Sequence, residues 1–378
     1  MVAAASVVVA VGTVAGMISA LDGRPGASRP PTSQALPPSA SAAVTPSPGT
    51  WREPGPGADP SPPRPRPRPR TRTPMPMPTR RPRQPPAVSP LLYRHPGSQV
   101  LDWVRAHPDD PRAAVISARI ADQPAAVWFA DPDPAAIAAR VRAVTSAAAA
   151  RGRVPVLVPY AVPDRDCGGA SRGGAPDLVA YDAWIDAFAQ GLGSGEVIVV
   201  LEPDSIAQSG CLPPAERSAR FASLARAGRV LKAADAHARV YYDAGHSGWN
   251  PAARQAALLA RAGAASAASS DGVFSNVSNF RATADEIAYD RRVLDVLGAF
   301  GGPASLGAVI DTSRNGNGAP PDGQWCDPAG RRIGRPPTLS TGQARIDAYL
   351  WVKLPGESDG CAGAAGTFTP SYAYDLAR

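Results

Sequence analysis

Over residues 98–378, short apolar runs alternate with longer amphipathic stretches. The apolar runs lie at 125–129, 154–160, 197–203, 239–243, 272–277, 307–312 and 347–354. The amphipathic stretches lie at about 135–150, 177–191, 214–234, 251–262 and 284–300. Continuous apolar runs are typical of strands buried on both faces, and helices between them predict a parallel sheet. The expected fold class is therefore α/β, and seven strand candidates favour a TIM-like barrel over an open sheet.

Residues 21–97 have a composition that cannot bury a core. The segment from Arg24 to Pro90 holds 22 of the 44 prolines of the chain, and 11 arginines against two acidic residues. Alternating Pro and Arg at 63–70 predict an extended, disordered linker. This segment carries a charge of +9 while the whole chain carries +7. The basic balance therefore belongs to the linker, and no nucleic-acid surface is expected on the folded domain at 98–378. The linker is interpreted as a spacer. The alternative is that its positive charge attracts it to anionic cell-wall polymer.

The first twenty residues indicate export. Positions 2–20 carry no charge and consist mostly of Ala and Val. Such a run predicts a signal peptide on a secreted protein, with an uncleaved membrane anchor as the alternative. The cysteines agree with export, because an even number of them in a secreted chain favours two disulfides. None has CxxC spacing and no His lies close by, so neither a zinc site nor another metal is expected. The four cysteines are Cys167, Cys211, Cys326 and Cys361.

Acidic residues follow five of the seven apolar runs. Parallel barrels place their active sites at the carboxyl ends of strands, so these acids are expected to converge on one cleft. Carboxylates that share a cleft shift each other's pKa values, which gives a hydrolase a protonated acid beside an ionised base. Aromatic faces suit the stacking of sugars, although each tryptophan has a core position as its alternative. The acids are Asp166, Asp204, Asp243, Asp311 and Asp359, and the candidate platforms are Trp128, Trp249, Trp325 and Trp351.

Several motifs in these loops resemble those of glycoside hydrolase family 6. They are, in chain order, YAVPDRDCGG, VVLEPDSIA, YYDAGHSGW, VSNF, IDTSRNGNG, WCDPAGRRIG and LWVKLPGESDGC. The similarity spans about residues 125–365. It implies a distorted β/α barrel of about seven strands. It also implies inverting hydrolysis of β-1,4-glucosidic bonds without metal or cofactor.

The resemblance assigns roles to individual residues. Asp204 resembles the general acid, and Asp166 resembles the neighbour that keeps it protonated and relays a proton from water. Asp359 resembles the proposed general base, Asp243 resembles an acid that tunes the site, and Asp311 is interpreted as structural. Tyr160 and Ser171 match positions near the reacting sugar. Other substrate-binding positions match Trp128, His246, Trp249, Trp325, Lys353 and Glu357. The implied disulfides are Cys167–Cys211 and Cys326–Cys361.

The loops around the expected cleft are short. The loop at 168–176 and the segment from 326 to 361 offer little chain to cover a bound polymer. We therefore expect an open cleft, internal cutting of a β-1,4-glucan partner and a monomeric enzyme. The alternatives are a cellobiohydrolase of the same family and a non-catalytic protein that binds glucan or cell wall.

Overall fold

The structure is a computed structural model that describes residues 91–378. The predicted signal segment at 2–20 and the linker up to residue 90 lie outside the described residues. The predicted linker boundary at residue 97 needs correction. Leu91–Leu92 form a short strand that pairs with Arg153–Val154, and Tyr93 is buried. Strand pairing and the burial of Tyr93 join this segment to the folded domain, although prolines surround it in the sequence.

The described chain contains nine strands and eight α-helices. The strands are β1 (Leu91–Leu92), β2 (Val127–Phe129), β3 (Arg153–Val154), β4 (Val156–Pro159), β5 (Val197–Leu201), β6 (Ala238–Asp243), β7 (Gly272–Ser275), β8 (Gly307–Asp311) and β9 (Ile346–Leu350). The helices are α1 (Gln99–Ala106), α2 (Ala113–Ile116), α3 (Pro134–Ala149), α4 (Leu178–Gln190), α5 (Pro214–Ala234), α6 (Ala252–Arg261), α7 (Thr283–Ala299) and α8 (Pro370–Ala377).

Seven strands form one parallel sheet in the order β2-β4-β5-β6-β7-β8-β9. Each predicted apolar run contains one of them, and α3 to α7 occupy the predicted amphipathic stretches, so the α/β barrel prediction is confirmed. The sheet curls until its two end strands approach each other. Ala126 N–H donates to Trp351 O (2.9 Å) and the Trp128 indole N–H donates to Val352 O (2.8 Å). These bonds join the ends of the sheet where a closed barrel would have a continuous ladder.

Side chains alternate between the two faces of the sheet. On β5, Ile198 and Val200 point into the barrel, while Val197, Val199 and Leu201 pack against the helical layer. Both faces are buried because crossover helices cover the outside, as is usual for parallel sheets. Each such aliphatic side chain stabilises the fold by roughly 1.5–3 kcal/mol. A charge at Val199 would break this layer.

Local signals set the starts of two crossover helices. Asp133 caps α3 by accepting from Ala135 N–H (2.9 Å), and Pro134 occupies the first turn. Asp177 caps α4 by accepting from Ala180 N–H (2.8 Å). These caps satisfy N–H groups that have no partner within the helix.

A separate apolar cluster covers the region where the sheet ends meet. It joins Val100 of α1, Ile120 of a π-helical turn and Ala373 of α8 to Trp351 and Leu354. Trp351 is 2% exposed and its indole N–H donates to Arg335 O (2.9 Å). Of the two interpretations open for Trp351, the core position is therefore the correct one, and this ring is not a sugar platform. Within residues 91–378, no helix is both long and apolar enough to cross a membrane.

Candidate active site

A cleft of about 1080 Å³ lies at the carboxyl ends of the strands. Its walls bring together eleven of the residues predicted from sequence, which are Trp128, Tyr160, Asp166, Ser171, Asp204, His246, Trp249, Trp325, Lys353, Glu357 and Asp359. Asp243 is not among the lining residues and lies beneath the surface. The expected convergence of acids from several strand ends is therefore present.

Asp204 follows β5 and presents its carboxyl group to the cleft. No residue among 91–378 donates a hydrogen bond to that carboxyl group. Burial raises its pKa well above the ordinary value, and the charges of Asp243 and Asp166 raise it further. A carboxyl group that keeps its proton to a higher pH than usual and is free to donate it has the properties of a general acid. Asp204 also has a left-handed backbone, with φ of +69°.

Asp243, at the end of β6, is buried beneath Asp204. Its Oδ2 accepts from Ile206 N–H (3.0 Å) and Ala207 N–H (2.8 Å), and its Oδ1 accepts from Gly245 N–H (2.9 Å). Burial raises the pKa of Asp243, and these backbone bonds oppose that rise. The carboxyl group therefore holds the turn that follows Asp204 and acts on the cleft through that residue.

Glu202 is a positioning residue that the sequence analysis did not single out, although it lies in the LEPD motif. Both of its oxygens accept from Ala161 N–H (3.0 and 2.9 Å), and one also accepts from Val162 N–H (3.1 Å). Burial raises its pKa to about 7, against the effect of these backbone bonds. The backbone of Glu202 is left-handed, with φ of +50°. Its side-chain bonds tie the end of β5 to the end of β4.

A chain of hydroxyl groups leads from Tyr160 to Asp166. Asp166 Oδ2 accepts from both Ser171 N–H (2.8 Å) and Ser171 Oγ (2.9 Å). Because the Ser171 proton points to the carboxylate, the Tyr160 hydroxyl donates to Ser171 Oγ (3.0 Å). Burial raises the pKa of Tyr160, and the charge of Asp204 adds to the effect. The arrangement suits the orientation of a water molecule and the relay of its proton.

Arg165 precedes Asp166 but makes its bonds elsewhere. Its guanidinium donates to Ala130 O (2.8 Å), to Tyr160 O and to Ser171 O (2.9 Å). The guanidinium carbon lies 4.7 Å from the centre of the Tyr160 ring. Arg165 therefore forms no ion pair with the neighbouring Asp166.

Asp359 is held on the opposite side by cations. Its Oδ2 accepts from Arg314 Nη1 (2.8 Å), its Oδ1 accepts from Arg314 Nη2 (3.0 Å), and Lys353 Nζ lies 3.7 Å from Oδ1. Arg314 is fully buried and lies over the Phe280 ring, 4.5 Å from its centre. Arg314 was not predicted as a site residue, because the carboxylate that it contacts belongs to Asp359, 45 positions away in the sequence.

Asp327 fixes the loop that carries Asp359. Its carboxylate accepts from Asp359 N–H (2.7 Å), from Ser358 Oγ (2.6 Å) and from the backbone of Cys361 and Ala362. Its own N–H donates back to Asp359 Oδ2 (3.1 Å). The loop is thus fixed by hydrogen bonds as well as by a disulfide.

Both predicted disulfides are present. Cys167–Cys211 joins the loop of Asp166 to the turn after Asp204, and Cys326–Cys361 joins the two segments that meet at Asp327.

The loop after β6 supplies an aromatic wall. His246 Nδ1 accepts from Gly248 N–H (3.1 Å), so the neutral ring carries its proton on Nε2. Burial lowers the His246 pKa to about 4, and the charge of Arg281 adds to the effect. Trp249 lies 5.3 Å from His246 between ring centres and is 37% exposed. Trp325 is 57% exposed, so two indole faces are open to a ligand.

Lys353 and Glu357 line the remaining wall. Lys353 Nζ donates to Ser358 O (3.1 Å), and burial, followed by the charge of Arg314, lowers its pKa. Burial raises the Glu357 pKa to about 7, while Lys353 opposes the rise. Gln99 of α1 donates to Glu357 (3.4 Å), so the first helix supports this wall.

Asp311 lies behind the cleft at the end of β8. It accepts from Ser313 N–H (2.9 Å), Lys353 N–H (3.0 Å) and Ser278 N–H (3.3 Å). This placement agrees with the structural interpretation of Asp311. Across residues 91–378, no group of three or more His, Cys, Asp or Glu side chains is arranged to hold a metal ion.

Comparison with known proteins agrees with this geometry. Residues 90–377 match the model of glycosyl hydrolases family 6. Endoglucanase 1 of Streptomyces sp. (strain KSM-9) is 50% identical over 276 residues, covering 73% of this chain and 75% of that protein. Endoglucanase A of Thermobispora bispora is 48% identical over 287 residues, which cover 76% of this chain and 61% of that protein.

A solved structure is also similar. The endoglucanase Cel6 of Mycobacterium tuberculosis, in complex with methyl-cellobiosyl-4-deoxy-4-thio-β-D-cellobioside, has a TM-score of 0.70 and 39% identity. The match covers 76% of this chain and 96% of that one. With its curled parallel sheet and its cleft of converging aspartates, the chain belongs to glycosyl hydrolase family 6.

Proposed function

We propose that the protein is an extracellular endo-β-1,4-glucanase that hydrolyses cellulose or a related β-glucan with inversion. The proposal rests chiefly on Asp204, whose raised pKa and free carboxyl group fit it to protonate a glycosidic oxygen in the cleft. The two named relatives and the solved neighbour are endoglucanases, which supports the substrate class.

In the proposed mechanism, Asp204 donates its proton to the leaving glucosyl oxygen. Inversion requires water to attack the opposite face of the sugar, with base and acid roughly 6.5–9.5 Å apart. The chain of Tyr160, Ser171 and Asp166 orients that water and relays its proton toward Asp359. Asp359 is the base that the resemblance assigns. It also supplies a fixed negative charge near the positively charged transition state.

Internal cutting is supported by the open cleft. Trp249 and Trp325 remain exposed, and loop 168–176 is short and tied down at Asp166. A polymer can therefore enter from the side without threading its end under a lid. The disulfides and the apolar segment at 2–20 support secretion.

Product analysis on cellopentaose tests the reaction. Fresh product should carry the α-anomer at the new reducing end when followed by NMR, as inversion requires. Asp204→Asn should lower kcat by roughly 10²–10⁴-fold. Asp109→Asn, on an exposed turn, is the matched control and should leave kcat unchanged. A β-anomer product, or full activity in Asp204→Asn, would overturn the mechanism.

Viscosity separates internal from terminal cutting. The viscosity of a soluble cellulose derivative should fall steeply while few reducing ends appear. Steady release of cellobiose with little loss of viscosity would instead identify a cellobiohydrolase. Binding without any release of sugar would identify a non-catalytic glucan-binding protein.

A further inference from the structure

Arg281 is a cleft residue that neither the motifs nor the proposed mechanism uses. It lies just before α7, and its side chain lines the cleft beside His246 and Trp249. Three backbone bonds fix its position. Arg281 N–H donates to Asn276 Oδ1 (2.9 Å), and Arg281 O accepts from Asn276 Nδ2 (3.3 Å) and Asn315 Nδ2 (2.9 Å). The start of the side chain is therefore rigid.

The guanidinium of Arg281 rests on the backbone of the aromatic loop. A Cβ atom added at Gly248 would lie 2.2 Å from Arg281 Nη2 and 2.3 Å from its central carbon. Gly248 does not have a left-handed backbone, so its lack of a side chain serves the close approach of the guanidinium and not a turn. This packing places the cation against the residue that precedes Trp249, and both side chains line the cleft.

The donors of the Arg281 guanidinium have no acceptor within the described part of the chain. Among residues 91–378, no group accepts a hydrogen bond from the Arg281 side chain and no carboxylate lies within 4 Å. Two other arginines of the cleft differ in this respect, because Arg165 is bonded to three carbonyls and Arg314 is paired with Asp359. Arg172 also lines the cleft without a side-chain bond, but it is exposed. The half-buried guanidinium of Arg281 is therefore fixed at the cleft with its donors available to a ligand.

We propose that Arg281 donates hydrogen bonds to the hydroxyl groups of the glucosyl unit that stacks on Trp249. The planar fork of arginine matches two neighbouring hydroxyl oxygens, and the ring face of Trp249 matches the apolar face of the same sugar. The contact strengthens binding of the chain and takes no part in bond cleavage. This inference rests on the proposed function, because it requires a β-glucan in the cleft.

Binding of cellopentaose to an Asp204→Asn background, measured by calorimetry, tests the proposal. Arg281→Ala in that background should weaken binding by roughly tenfold, the effect expected for hydrogen bonds to a charged donor. Arg281→Lys should recover only part of the loss, because lysine lacks the fork. Arg254→Ala, on the exposed face of α6, is the matched control and should bind normally. Unchanged binding by Arg281→Ala would overturn the proposal.

Gly248→Ala gives a second test that keeps Arg281 in the chain. The new methyl group should displace the guanidinium and weaken binding, while Gly298→Ala, where nothing lies within 4 Å, should not. In an Arg281→Ala background, Gly248→Ala should cause no further loss, because nothing remains to displace. Equal losses in both backgrounds would contradict the proposal. Failure of the wild type to hydrolyse cellopentaose would refute the proposed function separately.

Discussion

Arg314 and Asp359 form a two-point ion pair inside the protein, with bonds of 2.8 and 3.0 Å. Arg314 is fully buried and Asp359 is 9% exposed, so neither charge has much access to water. Removing one member leaves the other charge buried without its main partner. The stability of the domain and the position of Asp359 therefore depend on the same pair.

Arg314→Met should lower the free energy of unfolding by roughly 3–5 kcal/mol, because it leaves the Asp359 charge with only the more distant Lys353 and one backbone N–H, that of Asp327. Urea denaturation measures the change. In the double variant with Asp359→Asn, the additional loss from Arg314→Met should be much smaller, since no charge is stranded. Additive losses in the double variant would show that the pair is not energetically linked.

Asp243→Asn should shift the alkaline limb of the kcat/KM profile to lower pH. The pKa of Asp204 is raised first by burial and then by the charges of Asp243 and Asp166. Loss of the Asp243 charge lowers that pKa, so Asp204 loses its proton at a lower pH and the general acid fails earlier. Activity measured from pH 4 to 10 checks the shift. A limb that stays in place or moves upward would contradict this account of the Asp204 pKa.

Glu202 should make the domain less stable as pH rises from about 4.5 to about 7. Burial raises its pKa from 4.5 to about 7, so over this interval the folded state binds more protons than the unfolded state. The difference amounts to about 3 kcal/mol. Unfolding free energies measured at several pH values should therefore fall less steeply in Glu202→Gln than in wild type. If the unfolding free energy changes equally with pH in the two proteins, Glu202 is excluded as the source of this pH dependence.

Removal of the second disulfide should reduce stability more than activity. Cys326→Ser with Cys361→Ser releases a 35-residue loop, which costs roughly 4 kcal/mol in the chain-entropy model. The bonds of Asp327 still hold Asp359 in place, so kcat at 25 °C should stay within roughly threefold of wild type. Thermal unfolding and steady-state kinetics check both parts. A large loss of kcat in a variant that remains folded would show that the hydrogen bonds do not suffice.

The barrel could be predicted because each strand is recognisable from its own residues, without knowledge of the strands that it pairs with. Val197–Leu201 is a continuous apolar run, and its burial on both faces follows from the helices on either side of it. Helices α1 and α8 have only eight residues each and were not predicted. The strand Leu91–Leu92 was missed because the prolines around it indicated a linker.

Only part of the active site could be predicted from the sequence, for a related reason. Asp204 and Asp359 lie in distinctive motifs, so their positions were found. The partners that control them come from distant parts of the chain. Asp327 and Asp359 are 32 positions apart, and no local pattern indicates that the backbone N–H of each donates to the carboxylate of the other. Arg281 was not predicted because its significance depends on the packing of its guanidinium against Gly248, which only coordinates reveal.

The left-handed backbone at Glu202, Asp204 and Asp166 has an evolutionary consequence. Glycine adopts this conformation freely, whereas other residues lose of order 1 kcal/mol or more at each such position. At Glu202 and Asp166 the carboxylate offsets this cost by accepting backbone hydrogen bonds. At Asp204 nothing within residues 91–378 bonds to the carboxyl group, so a search for thermostable variants would favour glycine there and would delete the proposed general acid. Selection for hydrolysis and selection for a more robust fold thus oppose each other at this one codon.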